Sequence, residues 1–586
     1  MVISTLLLTS ALSLPPTLPV SDIKAGMTGQ CLTVVEGPGN NIEPFKFVVK
    51  GVMPGVLGPG RDLVMVRLQG EKAEFTGVVA GMSGSPCSID GKLVGALSYR
   101  FGSFTKEPIG GITPIEYMLN VLELPTEAPP WRLPGMKIET QQASEWKAFR
   151  EGQPVARTPA PEGLVPVAAP LAMGGVPVEV QRHFAPYLES VGLNPMAGNG
   201  GAPRDLGKPQ RLEPGSAVTM ILTRGDVNIG ALCTVTTVDK NSVTACGHPV
   251  FGSGVISMPM ANATILNTLA STMGSVKQFF TGPTVGEITE DRLPAIAGYL
   301  GRSPKMVPVS GSIETPAAKN SFAFEVSRDL SFTPRYVAVG IASSLSGRID
   351  AGQRGLVRFN GKVNVKGEEP IVIEDVYAGE RDPGLLIYSA IDVAQAVSSV
   401  WNTGFGPPPE LSVEVNAKVE LEPIEERIED MYLDRGVVRA GEPFNVTVRL
   451  RREYGGVEYE TFKVQVPRTW AGSEVDLYAA SSFGAESVAG DVQGRPRPQN
   501  VTQIVRYLNK RRGDGYVYFM AVRKGTGLST EVDTYSFLPP SAVATFAGGS
   551  PYRSSRNRGL AWEERRKRPG VVAGGAALTL KVEQPN

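Results

Sequence analysis

Apolar and polar positions alternate strictly in the last third of the chain. Phe444-Asn445-Val446-Thr447-Val448-Arg449-Leu450 and Phe462-Lys463-Val464-Gln465-Val466 therefore read as strands with one buried and one wet face. We read 410–548 as a β-sandwich of immunoglobulin-like architecture, interrupted by an amphipathic helix from Val501 to Leu508. Nearer the N-terminus the apolar runs are shorter, more continuous and punctuated by Gly and Pro. Thr76–Ala80 and Lys92–Leu97 are strand candidates on either side of Gly81-Met82-Ser83-Gly84-Ser85-Pro86, and Asn241 to Cys246 forms a strand-like run that leads into His248. Residues 311–400 continue with β-like runs such as Ser321–Val326 and a helical candidate from Ala390 to Trp401, which would complete or buttress the histidine-bearing region. Residues 126–214 are rich in Pro, Ala and Gly and read as a connector with some helix.

These runs divide the chain into an apolar N-terminal segment (1–20), a serine-bearing β-module (21–125), the connector, a histidine-bearing β-module (215–400), the sandwich and a tail (549–586). Several domains are required, because single cores rarely grow beyond about 250–300 residues and this chain has 586. The 58 basic and 58 acidic side chains cancel, which removes any electrostatic reason to propose a nucleic-acid partner. The basic run Arg565-Arg566-Lys567-Arg568 reads as part of a solvated, flexible tail, ahead of a membrane-surface or acidic-polymer contact.

The serine between glycines, followed by proline, reads as a nucleophile on a tight turn. Such a turn exposes the Ser83 hydroxyl and leaves the N–H groups of Gly81 and Ser83 able to hold an oxyanion, although Gly and Ser also dominate ordinary turns. Only two histidines exist in the chain. His248, in Ala245-Cys246-Gly247-His248-Pro249, is the candidate general base at a strand end, or else a structural residue that closes a loop. His183 lies in a short amphipathic stretch whose Phe184, Tyr187 and Leu188 form a packing face, and we assign it no chemistry.

Both segments and their neighbours resemble the SpoIVB-type serine peptidases, the family of the sporulation stage IV B protease. The resemblance rests on Thr76–Pro86 and Asp90–Ala96 around the serine, and on Gly230–Val235, Ala245–Pro249 and Val285–Thr289 around the histidine. It covers roughly 21–125 and 215–310, and it implies a mainly β fold with two trypsin-like β-barrels and a regulatory peptidase acting on protein or peptide or processing itself. The order departs from the family pattern, since Ser83 here precedes His248. A nucleophile and its base are defined by spatial roles, so a permuted chain can build the same site if the two modules pack across a cleft.

A second departure concerns the acid. The family carries an acidic residue on the strand shortly before the serine motif, and Gln69 stands at that position here. Asp226 and Asp62 are the candidate replacements. The seven residues from Asp62 to Gln69 span about 23 Å when extended, which places Asp62 at the far end of its strand and favours Asp226. Both can equally be turn residues beside Gly, and a Ser-His dyad or a catalytically inactive envelope scaffold are the alternatives.

Residues 1–20 contain an apolar run long enough for a secretory signal, but no Lys or Arg precedes it; a truncated or weak signal peptide is expected, and with it a secreted, periplasmic or envelope location. No other stretch is apolar enough to span a bilayer. The cysteines fall two per module, Cys31 with Cys87 and Cys233 with Cys246. The latter pair flanks a hairpin turn, so a cross-strand disulfide and buried free thiols are both open. No Cys-x-x-Cys or His-rich cluster suggests a metal, and no cofactor is expected.

Overall fold

The computed structural model describes residues 14–102, 105–124, 139–155, 163–196, 208–272, 274–347, 355–379, 383–422, 424–494, 496–547 and 554–585. The expected signal segment thus lies mostly outside the described residues. The protein is mainly β, as expected. It divides into two units, Met1–Pro308 with Ala323–Gly347, and Val309–Phe322 with Arg348–Asn586.

In the first unit, the serine-bearing module is a closed barrel of six strands. Ser85–Ile89 pairs with Thr28–Val34, and the circuit runs on through Ile42–Met53, Leu63–Gln69 and Ile109–Pro114 to Lys92–Phe101, which returns to Ser85–Ile89. Closure removes both sheet edges and turns alternate residues inward, so Phe47, Val49, Val64, Val66, Leu97 and Ile112 fill the barrel. Cys31 and Cys87 face each other across adjacent strands and form a disulfide. Thr76–Ala80 is not the expected strand. Helix Glu71–Thr76 precedes the serine turn, Gly77 ends it with φ 68°, and only Ala80 makes a bridge, to Val276. Val79 is buried in the barrel core and Val78 packs part-buried against it, so apolar content alone misidentified the segment.

The histidine-bearing module has the same pairing circuit. Ala217–Gly225, Asn228–Asp239, Ser242–Ala245, Ala295–Leu300, Val276–Arg292 and Gly254–Leu269 pair in that order, and the last returns to the first. The connector is more than a tether. Its strand Ala169–Gly174 joins the edge of Asn228–Asp239, and helix Val178–Ser190 buries Val180, Phe184, Tyr187 and Leu188, with Phe184 stacked on Phe149 at 4.6 Å.

The histidine barrel belongs to the first unit, whereas residues 355–400, expected to complete or buttress it, belong to the second. There Gly355–Val365 and Ile371–Gly379 form a hairpin beside helix Pro383–Trp401, which contains the expected helical stretch. Leu411–Glu420 pairs with Gly355–Val365, so the sandwich begins only at Glu425. One half contains Glu425–Leu433, Pro443–Arg452 and Val457–Gln465; the other contains Glu474–Ala480, Tyr516–Ser529 and Ser554–Lys567. Both halves contribute to one core, through residues such as Phe444, Phe462, Leu477 and Phe519. Strand Val571–Glu583 joins them: it pairs with Glu425–Ile428 up to Gly574, then with Glu474–Ala480 from Gly575 onward. Helix Val501–Leu508 is present, and Asn500 caps it by accepting the Gln503 N–H at 2.9 Å.

The expected flexible tail is instead these last two strands. Arg565, Arg566 and Lys567 of the basic run are exposed, but Arg568 is buried among acids: its guanidinium donates to both carboxylate oxygens of Glu426, at 2.8 and 3.0 Å, and to Glu460 at 2.8 Å. Glu426 is fully buried. Removing one partner of such a pair strands the other charge, so Glu426→Ala should destabilise the sandwich by about 3 kcal/mol in denaturant unfolding. The double variant Glu426→Ala/Arg568→Met should recover most of that loss, and additive losses would show that the two side chains are not coupled.

Candidate active site

The serine turn is held from both barrels. On its own side, the Gly84 N–H donates to Leu97 O at 2.8 Å, while Ser85 bonds back to Met82 O through both its N–H and its hydroxyl. On the other side it lies along strand Asn228–Asp239. The Thr234 N–H donates to Ser83 O at 2.8 Å, the Thr234 hydroxyl to Gly81 O at 2.9 Å, and the Thr236 hydroxyl to Gly84 O at 2.7 Å. The approach is too close for a side chain at Gly84, whose φ is 96° and where a Cβ would stand 1.9 Å from Thr234 O. The glycines flanking Ser83 are thus required by backbone geometry and contact distance together. Among the described residues, the N–H groups of Gly81 and Ser83 donate to no other group.

Ser83 is fully buried, and its hydroxyl donates to Cys233 Sγ at 3.7 Å. Cys233 is in turn joined to Cys246 in a disulfide, which resolves the pairing left open by the sequence. The disulfide ties the strand behind the serine turn to the segment that carries the histidine.

That segment bends sharply. Cys246 and Gly247 follow strand Ser242–Ala245 with φ 67° and 72°, an uncommon conformation for a non-glycine residue such as Cys246. The Thr113 hydroxyl, hydrogen-bonded to Ser98, donates to Gly247 O at 2.7 Å and pins the bend against the serine barrel. His248 is buried, 6.4 Å from the Tyr99 ring. Its Nδ1 meets Pro249 O at 2.7 Å, which requires the proton on Nδ1 and leaves Nε2 as the lone-pair nitrogen. Nε2 is buried and has no hydrogen-bond partner. Burial holds the imidazole below its ordinary proton affinity, against the opposing pull of the Pro249 and Val167 backbones. The fold therefore brings the two sequence-predicted residues into neighbouring segments, where a Cβ at Gly84 would stand 2.5 Å from Cys246 N, but no hydrogen bond joins Ser83 to His248.

The expected acids are elsewhere. The Asp226 carboxylate accepts the Ala323 N–H at 2.8 Å, and that of Asp62 accepts the Gly55 N–H at 2.8 Å; each secures a local backbone approach, and neither is bonded to His248. Gln69 ends strand Leu63–Gln69, paired opposite Lys46. A backbone carbonyl, that of Pro249, occupies the place on Nδ1 that a carboxylate takes in a Ser-His-Asp triad.

Two buried charged residues escaped the sequence reading. Asp291 accepts the N–H groups of Val250, Phe251 and Gly252 at 2.8 Å and that of Ser253 at 3.4 Å, so one carboxylate gathers the glycine-rich loop that follows His248. Burial pushes its pKa up while these four donors pull it down. Lys277 is fully buried beside the serine turn: a Cβ at Gly81 would lie 3.2 Å from its Cδ. Its Nζ donates to Thr33 Oγ1 at 2.7 Å, and burial alone pulls its pKa down to about 7. Asp291 follows the family-like segment Val285–Thr289 by two residues, and Lys277 shares strand parity with Phe279 and Thr281, both buried. Those positions were the available signals.

No protein-family model matches this chain, and neither the curated proteins nor the solved structures contain a significant match.

Two outcomes test this site. Asp291→Ala should speed amide exchange over 250–253 at least tenfold, measured by hydrogen–deuterium exchange mass spectrometry, and cost about 2 kcal/mol of global stability, because four donors lose their acceptor. Lys277 binds its proton less tightly folded, at about 7, than unfolded, near 10.5. Its contribution to stability is therefore complete above pH 10.5 and is lost as pH falls toward 7. Over that window the folding constant of wild type should fall relative to that of Lys277→Met by about three powers of ten, and parallel pH profiles would show that Lys277 is not the source.

Proposed function

We propose that the chain is a serine endopeptidase in which Ser83 is the nucleophile and His248 the general base, working as a dyad. The observation that carries this reading is the tautomer of His248: Nδ1 keeps its proton and donates it to Pro249 O, so the buried, unpartnered Nε2 is left basic in the segment next to the serine turn. Two N–H groups without acceptors, those of Gly81 and Ser83, are on that turn. The resemblance of both segments to SpoIVB-type peptidases supports the same roles.

In this mechanism the Ser83 hydroxyl leaves Cys233 Sγ by rotation about χ1 and attacks the peptide carbonyl. His248 Nε2 takes the proton, and the Gly81 and Ser83 N–H groups receive the charge that develops on oxygen. The imidazolium then protonates the leaving amine, and water hydrolyses the acyl-enzyme by the reverse proton route. Without a carboxylate on Nδ1, the Pro249 carbonyl orients the ring but supplies less stabilisation to its charged form, which predicts slow turnover. The substrate is protein or peptide. With all four cysteines paired in disulfides, an oxidising location, secreted or at the cell envelope, fits best. No helix among the described residues is long and apolar enough to cross a membrane.

The second reading, a catalytically inactive envelope scaffold, is favoured by the complete burial of Ser83 and the hydrogen bond of its hydroxyl to sulfur. A fluorophosphonate probe separates the two. Labelling of wild type, its loss in Ser83→Ala, and a reduction of about a hundredfold or more in His248→Ala support the peptidase. Absence of labelling in folded wild-type protein supports the scaffold.

A further inference from the structure

Lys277 has no role in the dyad, yet among the described residues it is the one fully buried amine that packs on the serine turn, and its contacts reach both sides of Gly81. Its backbone N–H donates to Ala80 O at 3.1 Å. In a trans peptide the N–H points opposite to the C=O, so fixing Ala80 O fixes the direction of the Gly81 N–H. Its side chain acts on the next peptide through two hydroxyls. Nζ donates to Thr33 Oγ1 at 2.7 Å, Thr33 Oγ1 lies 3.5 Å from Thr234 Oγ1, and Thr234 Oγ1 donates to Gly81 O at 2.9 Å. Since the Thr234 proton is spent on Gly81 O, Thr33 must donate to Thr234, and all three bonds run the same way, from the amine to the carbonyl.

A lysine placed there solely to fill volume would be better replaced by an apolar residue of similar size, because a buried amine with one neutral partner is costly. Among the described residues no carboxylate pairs with it, and burial alone accounts for its depressed proton affinity. The arrangement makes sense if the polarity of Nζ is used. Taking Gly81 and Ser83 as the anion-binding turn proposed above, we propose that Lys277 is a positioning residue: through the Thr33–Thr234 relay it holds the Gly81–Met82 peptide in the orientation from which the Gly81 and Ser83 N–H groups serve the site. The strength of that hold varies with the protonation of Nζ, because an ammonium polarises the relay more than an amine does.

The test uses the full chain with Lys277→Met, Thr33→Val and Thr33→Ser; Thr33→Val cuts the relay and leaves the lysine in place, whereas Thr33→Ser keeps the hydroxyl. The expected result is that fluorophosphonate labelling of Ser83 slows at least tenfold in Lys277→Met and in Thr33→Val, remains near the wild-type rate in Thr33→Ser, and loses in Lys277→Met a step near neutral pH that wild type shows. Labelling of Lys277→Met and Thr33→Val at the wild-type rate and with its pH profile would overturn the proposal. Should wild type not be labelled at all, the assignment of Ser83 as nucleophile fails separately, and amide exchange over 78–86 decides the positioning role. Exchange faster by tenfold in Lys277→Met and Thr33→Val but not in Thr33→Ser supports it, and unchanged exchange rejects it. If Lys277→Met does not fold, the Thr33 pair gives the same decision.

Discussion

The first unit depends on the backbone of the serine turn lying directly against strand Asn228–Asp239. Three donors from Thr234 and Thr236 meet the carbonyls of Gly81, Ser83 and Gly84, and the contact is so close that no side chain fits at Gly84. This junction, with the Thr113 bond to Gly247 O and the Ala80 bridge to Val276, fixes which part of each barrel faces the other. It also brings Cys233 against Ser83 and, through the disulfide, draws the bend at Cys246 and Gly247 toward the same place. Each barrel is closed by its own six-strand circuit, and Gly37–Pro38 adds a short pairing with Gly254–Leu269. The order in which the chain supplies the two barrels is then free to differ from that of the resembling family, provided this junction forms.

Much of this was legible in the sequence. The alternating runs of the sandwich, the strand after the serine motif, the amphipathic helix at Val501–Leu508 and the turn-bound serine all followed from local rules, because each depends on neighbours a few residues away. What failed depended on distant partners. Residues 554–583 look like a charged tail until Glu426 and Glu460 stand opposite Arg568. Thr76–Ala80 has strand composition, but its backbone bonds are taken by a helix end and an isolated bridge. Asp226 and Asp62 were plausible orienting acids by chain position, yet their carboxylates hold Ala323 and Gly55. Asp291 and Lys277 were invisible for the converse reason, since a charged residue in a strand is ordinarily assigned to the wet face. Lys277 shares its face with Phe279, and that parity is the clue to its burial.

The electrostatic character of the site follows from how little charge surrounds it. His248 and Lys277 are both buried without a carboxylate partner, and desolvation lowers the proton affinity of each. The nearby acid, Asp291, is occupied by backbone N–H groups of the loop after His248. A low-charge environment of this kind keeps the imidazole neutral under ordinary conditions and makes any charge formed there expensive, so control of activity would fall on what alters solvation at the turn.

The strand Val571–Glu583 joins the two halves of the sandwich by pairing with one strand from each, although it follows in the chain all the strands that it unites. Until these residues have emerged from the ribosome, the two halves have no common strand to join them, and both present unpaired edges. The second unit therefore completes its fold only once Val571–Glu583 has been made, and the preceding strands of the sandwich, from Glu425 onward, must be kept from pairing with other chains in the interval.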